Sequence, residues 1–170
     1  TDIKNGSLAI SNVTVSNPPG YSNPNAISLN GIEAAVDYKN FDIKRVIIDQ
    51  PEIVIEEKGG ATNFSELLAR LERRETQPEP PDSDQAEPVI LIRHFRMNGS
   101  RAAFESESLD RYSDLKIDAV ELNDIEGTPA EVASAIATEV VSEVVSAAAV
   151  ELLKAKASDK INDILGRDRD

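Results

Sequence analysis

Apolar side chains alternate with polar ones in short runs along this chain, and each run breaks phase in the same way. Leu8 and Ile10 alternate, then after a skip Val13 and Val15 alternate in the opposite phase. Ile27, Leu29, Ile32 and Ala34 repeat the pattern, as do Val46, Ile48, Pro51 and Ile53, then Ile90, Ile92, Phe95 and Met97, and finally Leu115, Ile117, Val120 and Leu122. Period-two alternation marks a strand with one buried face. A one-residue slip would turn every later side chain to the wrong face, and an extra residue inserted as a bulge restores the facing while bending the strand. The pattern therefore predicts five long strands, each with a central bulge or kink. The first three begin 19 residues apart, at 8, 27 and 46, which suits about a dozen strand residues plus a turn. Turn residues fall between them: Asn17-Pro18-Pro19-Gly20-Tyr21 with Asn23-Pro24-Asn25, and then residues 38–42. Pro51 points to a sheet edge or to the bulge itself.

Gly59-Gly60 ends the third run. Asn63, followed three residues later by Glu66, reads as a capping box opening a helix whose stripe is Phe64, Leu67, Leu68 and Leu71. Residues 76–88 (TQPEPPDSDQAEP) are rich in proline and acid and read as a solvated linker. The stretch 128–166 reads as one long amphipathic helix, roughly 55 Å long, with Thr128, Pro129 and Glu131 at its start. Its apolar stripe runs through Val132, Ile136, Val140, Val144, Ala148 and Leu152. That stripe can cover the sheet, self-associate or dock a partner protein. For a partner the residues would be Val140, Val144, Ala148 and Leu152. The fold class is α+β: a curved, mostly antiparallel sheet of bulged strands, a short helix and a long C-terminal helix. A β-rich domain fills residues 1–125, with the linker within it.

Composition narrows the chemistry. Hydrophobic residues make up 40% of the chain but aromatic ones only 4%, so the core is aliphatic. Lys+Arg number 18 against Asp+Glu 31, a net charge of −13 that repels phosphate backbones and excludes nucleic acid as a partner. The acidity is uneven: residues 1–75 hold 8 basic and 11 acidic side chains, residues 76–170 hold 10 and 20. Without cysteine there is no thiol nucleophile or thiolate metal site, and the single histidine, His94, is placed opposite the apolar positions of its strand, as a surface residue. Glu56 and Glu57 are adjacent in a strand and point to opposite faces, so they do not form a catalytic pair. Gly59-Gly60-Ala61-Thr62 lacks the lysine of a phosphate loop. No catalytic residue, metal site or cofactor is expected. No apolar run of about 18 residues is present to span a bilayer. The chain opens at Thr1 without methionine, which leads us to expect a leader or anchor ahead of it.

The string from Gly6 to Tyr21 resembles the "L-x-I-x-x-x-x-V-x-N-P-x-G-Y" opening of AsmA-like bacterial envelope proteins. Val36-Asp37, Val46-Ile47-Ile48-Asp49, Pro51-Glu52-Ile53, Glu56-Glu57 and Gly59-Gly60-Ala61-Thr62-Asn63-Phe64 continue it. The likeness covers residues 6–75, with a looser echo over 88–125, and the C-terminal helix resembles the tails of short single-module members. It implies a periplasmic domain held at the inner membrane by an N-terminal transmembrane helix outside this sequence. It also implies kinship with bridge-like lipid carriers, whose curved sheets hold acyl chains in a groove. The module is small: five strands spaced about 4.8 Å span only about 20–25 Å, and the long helix could fill the groove. The reading that follows is a non-catalytic module binding lipid or hydrophobic ligand in envelope maintenance and outer membrane biogenesis, through the inward positions Leu8, Ile10, Ile27, Leu29, Val46, Ile48, Ile90 and Ile92. The alternative is a membrane-tethering scaffold that docks a partner protein through its C-terminal helix, and a third is a self-assembling structural protein.

Overall fold

A strand that must keep one face buried while its backbone turns a corner needs two consecutive non-core positions at the turn. Five such positions occur in this chain, and at each the backbone leaves one sheet and enters a second. The computed structural model describes residues 6–37, 42–76, 88–108 and 110–167. Segment I comprises β1 (Gly6–Ile10) and β2 (Val13–Ser16), and segment II comprises β3 (Asn25–Leu29) and β4 (Ile32–Asp37). Segment III comprises β5 (Asp42–Ile48) and β6 (Glu52–Lys58). After it come β7 (Ala61–Thr62) and α1 (Asn63–Thr76). Segment IV is β8 (Ile90–Met97) with β9 (Ser100–Ser106), segment V is β10 (Arg111–Ile117) with β11 (Val120–Gly127), and α2 (Pro129–Arg167) closes the chain.

One sheet has the order β1-β4-β5-β8-β11, the other β10-β9-β6-β3-β2, with β7 pairing β6. Both orders are segments I to V in sequence, so each segment contributes one half to each sheet. The architecture is α+β with mostly antiparallel pairing. Among the described strands segments III and IV alone run parallel, in both sheets, and the chain between them is long and includes β7 and α1, as a parallel connection requires.

The corners align across the sheets. Leu8 pairs Ala34 and Ile10 pairs Ile32 on one side of the first corner, and Val13 pairs Leu29 and Val15 pairs Ile27 on the other. Asn12 (φ 59°) and Gln50 (φ 45°) take the left-handed backbone there, a conformation asparagine tolerates better than most side chains. Pro51 is buried at the third corner. Asn98 locks the third corner to the fourth: its N–H donates to the Ile48 carbonyl at 2.9 Å and its side-chain amide to Asp49 Oδ1 at 3.0 Å.

Segment IV differs from expectation. The slip between Ile92 and Phe95 lies inside β8 and is not a corner. It belongs to a second line of irregularity in the β1-containing sheet, where two polar residues separate inward-facing ones at Ile43/Val46, Ile92/Phe95 and Leu122/Ile125. The pairing register shifts there between β4 and β5, and Asp124 has φ 52°. The corner of segment IV is Asn98-Gly99. Beyond it the inward positions carry Ser100 and Ala102 before Phe104, too small and polar to register as an apolar run, so β9 left no trace in the hydrophobic pattern.

Helix α1 begins one residue differently from expectation. Its cap is Thr62, whose Oγ1 accepts from the Ser65 N–H (3.0 Å) while Ser65 Oγ accepts from the Thr62 N–H (3.0 Å), a reciprocal capping box. Glu66 instead accepts the hydroxyl of Tyr21 at 2.9 Å. Helix α2 opens as its sequence predicts, with Thr128 N–H donating to Glu131 Oε2 (2.8 Å) and Glu131 N–H to Thr128 Oγ1 (3.3 Å). It packs on β10, β11 and α1, burying Val132, Val140, Val141, Val144 and Ala148. The expected linker lies largely outside the described residues, as does most of the turn expected at residues 38–42.

A β-carbon added at Gly99 would sit 3.0 Å from the backbone carbonyl oxygen of Ile117, on the neighbouring segment. Because the obstruction is backbone, Gly99→Ala is expected to cost about 1–3 kcal/mol, read as a lower midpoint in urea denaturation. Gly31→Ala, at the matching corner of segment II with open space around it, serves as the control and shifts the midpoint far less.

Candidate functional site: an apolar cleft and its polar clasp

The inward side chains on both sides of the corner line converge, because the phase slip returns them to one face after the backbone has turned. Helix α2 covers segment V and meets α1, which leaves a cleft of 820 Å³ between the helices and segments I to IV. Val13 and Val15 wall it from segment I, Ile27, Leu29 and Ile32 from II, Val46 and Ile48 from III, Phe95 and Met97 from IV. Leu67 and Leu71 of α1 face Ile136, Val140 and Val141 of α2 across it. Among the described residues the charged lining groups are Arg70 and Arg73, both on the exposed side of α1. A volume of this size is typical of small-molecule sites, and apolar walls with a few polar groups at one side are their usual chemistry.

Of the eight positions expected to contact a ligand, Ile27, Leu29, Val46 and Ile48 line the cleft together. Leu8 and Ile10 do not: they sit on the edge strand β1, 45% and 44% exposed and outside the cleft. Ile90 and Ile92 are displaced along β8, where Ile92 is buried in the core and Ile90 packs against it. The positions expected to dock a partner turn inward. Val140 lines the cleft, Val144 and Ala148 are buried, and Leu152 packs on the core, because the stripe that would meet a partner is the one that covers the sheet. Among the described residues, Val150, Leu153 and Ile161 are the exposed large apolar residues of α2. Phe95 and Met97 were legible as apolar positions, but their place in the cleft follows from the second irregularity in β8. The helix residues Leu67, Leu71 and Ile136 could be assigned to a helical stripe and not to a cavity.

Away from the cleft, a network of buried polar groups ties the loops at one end of the segments together. Glu56 and Glu57 point to opposite faces, as adjacent strand residues must, yet both are almost inaccessible, at 2% and 1%. Glu56 accepts from the backbone N–H of Ser22 (2.7 Å) and Asn23 (2.8 Å) and from the Asn23 side-chain amide (3.1 Å), which ties the loop between β2 and β3 to β6. Asn63 joins the same network: its amide donates to Asn17 Oδ1 (2.7 Å) and the Val54 carbonyl (2.8 Å), and its Oδ1 accepts from the Glu56 N–H (3.1 Å). Glu57 accepts from Gly60 N–H (2.6 Å), Ser106 Oγ (2.7 Å) and both the Oγ (2.7 Å) and N–H (3.2 Å) of Ser108.

Burial alone would raise the pKa of both carboxyls, but the donors outweigh it. Ser108, Ser106 and Gly60 bring Glu57 down to about 2, and the amides of Asn23 and Ser22 hold Glu56 below its ordinary value. Tyr21 is pushed up to about 12 by burial and by its bond to Glu66, so its hydroxyl stays a donor. These carboxylates are ionised and saturated with donors, an arrangement that fixes structure and offers no proton to a reaction. His94 Nδ1 lies 3.0 Å from Asn123 Oδ1, half-buried on β8. Among the described residues no three His, Cys, Asp or Glu side chains gather in a way that could hold a metal ion, and no helix is long and apolar enough to cross a membrane.

Compared with protein-family models, curated proteins and solved structures, the chain matches none of them.

The depressed pKa of Glu57 sets a pH dependence. Its carboxylate is favoured in the folded state, so the stabilisation is present above its ordinary value of 4.5 and is lost as pH falls from there towards 2. The shift corresponds to about 3 kcal/mol. Urea midpoints measured at pH 7 and pH 3 should fall steeply for the wild type. Glu57→Gln should be destabilised by about 3 kcal/mol at pH 7 and show a shallower loss between the two.

Proposed function

We propose that this chain is a non-catalytic module that holds a lipid or other hydrophobic ligand in the 820 Å³ cleft, acting in the bacterial envelope from a membrane anchor outside this sequence. The observation that carries the reading is the cleft itself. Its walls come from four strand segments and two helices, and among the described residues Arg70 and Arg73 alone bring charge to it. An acyl chain fits such walls through burial of apolar surface, about 25 cal/mol per Å², and an anionic headgroup suits two arginines at the rim. The placement in the periplasm and at the inner membrane rests on the AsmA-like resemblance of residues 6–75, whose quoted residues include the Asn17, Glu56 and Asn63 of the polar network. A bond-making role has no support in the site, since the ionised carboxylates are saturated and lie away from the cleft.

The alternative of a docking scaffold has one observation in its favour, the exposure of Val150 (50%) and Leu153 (69%) near the C-terminal end of α2. In that reading these two residues replace Val140, Val144, Ala148 and Leu152 as the contact.

Protein purified without detergent and extracted with organic solvent is expected to release close to one phospholipid or fatty acid per chain, identified by mass spectrometry. Ala137→Phe, a half-buried lining position on α2, fills the cleft and should lower the lipid content several-fold while the circular dichroism spectrum and melting temperature stay close to wild type. A lipid-free extract from wild-type protein would contradict the reading.

A further inference from the structure

Sheets expose a row of unpaired N–H and C=O groups at each edge, and proteins blunt them with charge, proline or a covering element. The two edges of this molecule differ in that respect. Segment V carries Arg111, Asp114 and Lys116 on β10 and Glu121, Asp124 and Glu126 on β11, and α2 packs against both strands. Among the described residues segment I has none of these devices: residues 6–16 (GSLAISNVTVS) contain no charged side chain and no proline, and Leu8, Ile10 and Val15 are exposed. Among the described residues β1 pairs only β4 and β2 pairs only β3, so the outer side of both strands is open.

The sequence of this edge is also symmetric about its own corner. Inward apolar residues stand at 8 and 10 before Ser11-Asn12 and at 13 and 15 after it, so the segment reads as the same apolar pattern in either direction. Within the molecule, the antiparallel pairing of I with II already places corner opposite corner. Any strand added to segment I must bend at the same place, and a second copy of segment I, laid antiparallel, does so.

We propose that segment I is the interface of a two-fold symmetric dimer, β1 of one copy pairing antiparallel with β2 of the other across an axis at the Ser11-Asn12 corner. In that register Leu8 faces Val15 of the second copy, Ile10 faces its Val13 and Ala9 faces its Thr14. The apolar residues stay on the inner face and the corner line continues from one molecule into the next. The contact is isologous, so it closes at two copies and leaves no growing edge. Leu8 and Ile10, which the monomer leaves outside the cleft, are covered in the dimer. The pairing needs no ligand, so it stands or falls separately from the lipid reading.

The test is sedimentation velocity on the full chain from low micromolar to several hundred micromolar concentration, with two double variants at exposed positions. Dimer should form in the wild type. Ala9→Asp with Thr14→Asp sets like charges directly opposite each other twice and should weaken the dimer about tenfold, whereas Ala9→Lys with Thr14→Asp sets opposite charges there and should restore it. As a check that needs neither double variant, Ser11→Cys in this cysteine-free chain lies beside the axis and should form an interchain disulfide under mild oxidation, while Ser146→Cys on the exposed side of α2 should not. A wild type that stays monomeric throughout overturns the proposal, even if it accepts a different strand at this edge. So does a dimer that both double variants leave unchanged or weaken alike, which would place the contact elsewhere or in another register.

Discussion

Each of the five segments must turn a corner and keep its apolar side chains on the same side of the backbone. This requirement organises the molecule. Two non-core residues in succession at each corner satisfy it, and the corners must line up, because antiparallel neighbours paired out of step would set a bend against a straight strand. Asn98 enforces the alignment where the chain gives no hairpin to do so, bonding the third corner from the fourth through both its backbone and its side chain. The inner face then comes from both halves of every segment, and the cleft is what two helices leave uncovered on it.

The polar clasp explains why the ends of the segments hold their positions. A loop of prolines and asparagines between β2 and β3 has little apolar anchorage beyond the buried Pro18 and the half-buried Tyr21, and its backbone donors need acceptors when buried. Glu56 supplies them from the neighbouring β6, and Asn63 at the start of α1 bonds both the loop and the strand. Glu57 performs the same service on the opposite face for the turns at Gly60 and Ser108. Charged groups buried this way are costly unless every lone pair is used, and here the donors are numerous enough to depress the carboxyl pKa of both.

Much of this was legible from residue patterns alone. The spacing of apolar pairs located four of the five corners, the Gly59-Gly60 stop located the end of segment III, and Thr128 with Glu131 located the start of α2. The fifth corner was hidden because Ser100 and Ala102 fill inward positions without a strong hydrophobic signal, so a nearby slip at Arg93-His94 stood in for it. A bulge and a passage from one sheet to another produce the same phase slip, so period-two patterns do not distinguish one bent sheet from two sheets sharing their strands. Half of the expected ligand positions lie in the cleft and half do not, since alternation identifies the inner face of a strand but says nothing of where along it the helices rest. The stripe on α2 posed the converse problem: one apolar stripe serves equally to cover a sheet or to meet a partner, and only the packing against β10 and β11 decides.

We propose that the uncovered part of the inner face receives an acyl chain. Methyl-resolved NMR of protein labelled at isoleucine, leucine and valine, titrated with a single-chain phospholipid below its micellar concentration, tests it most directly. Saturable shift changes and ligand contacts are expected at the methyls of Ile27, Ile48, Ile136 and Val140, with Val150 and Leu153 unmoved. Changes confined to Val150 and Leu153, or no saturable change at all, would contradict it.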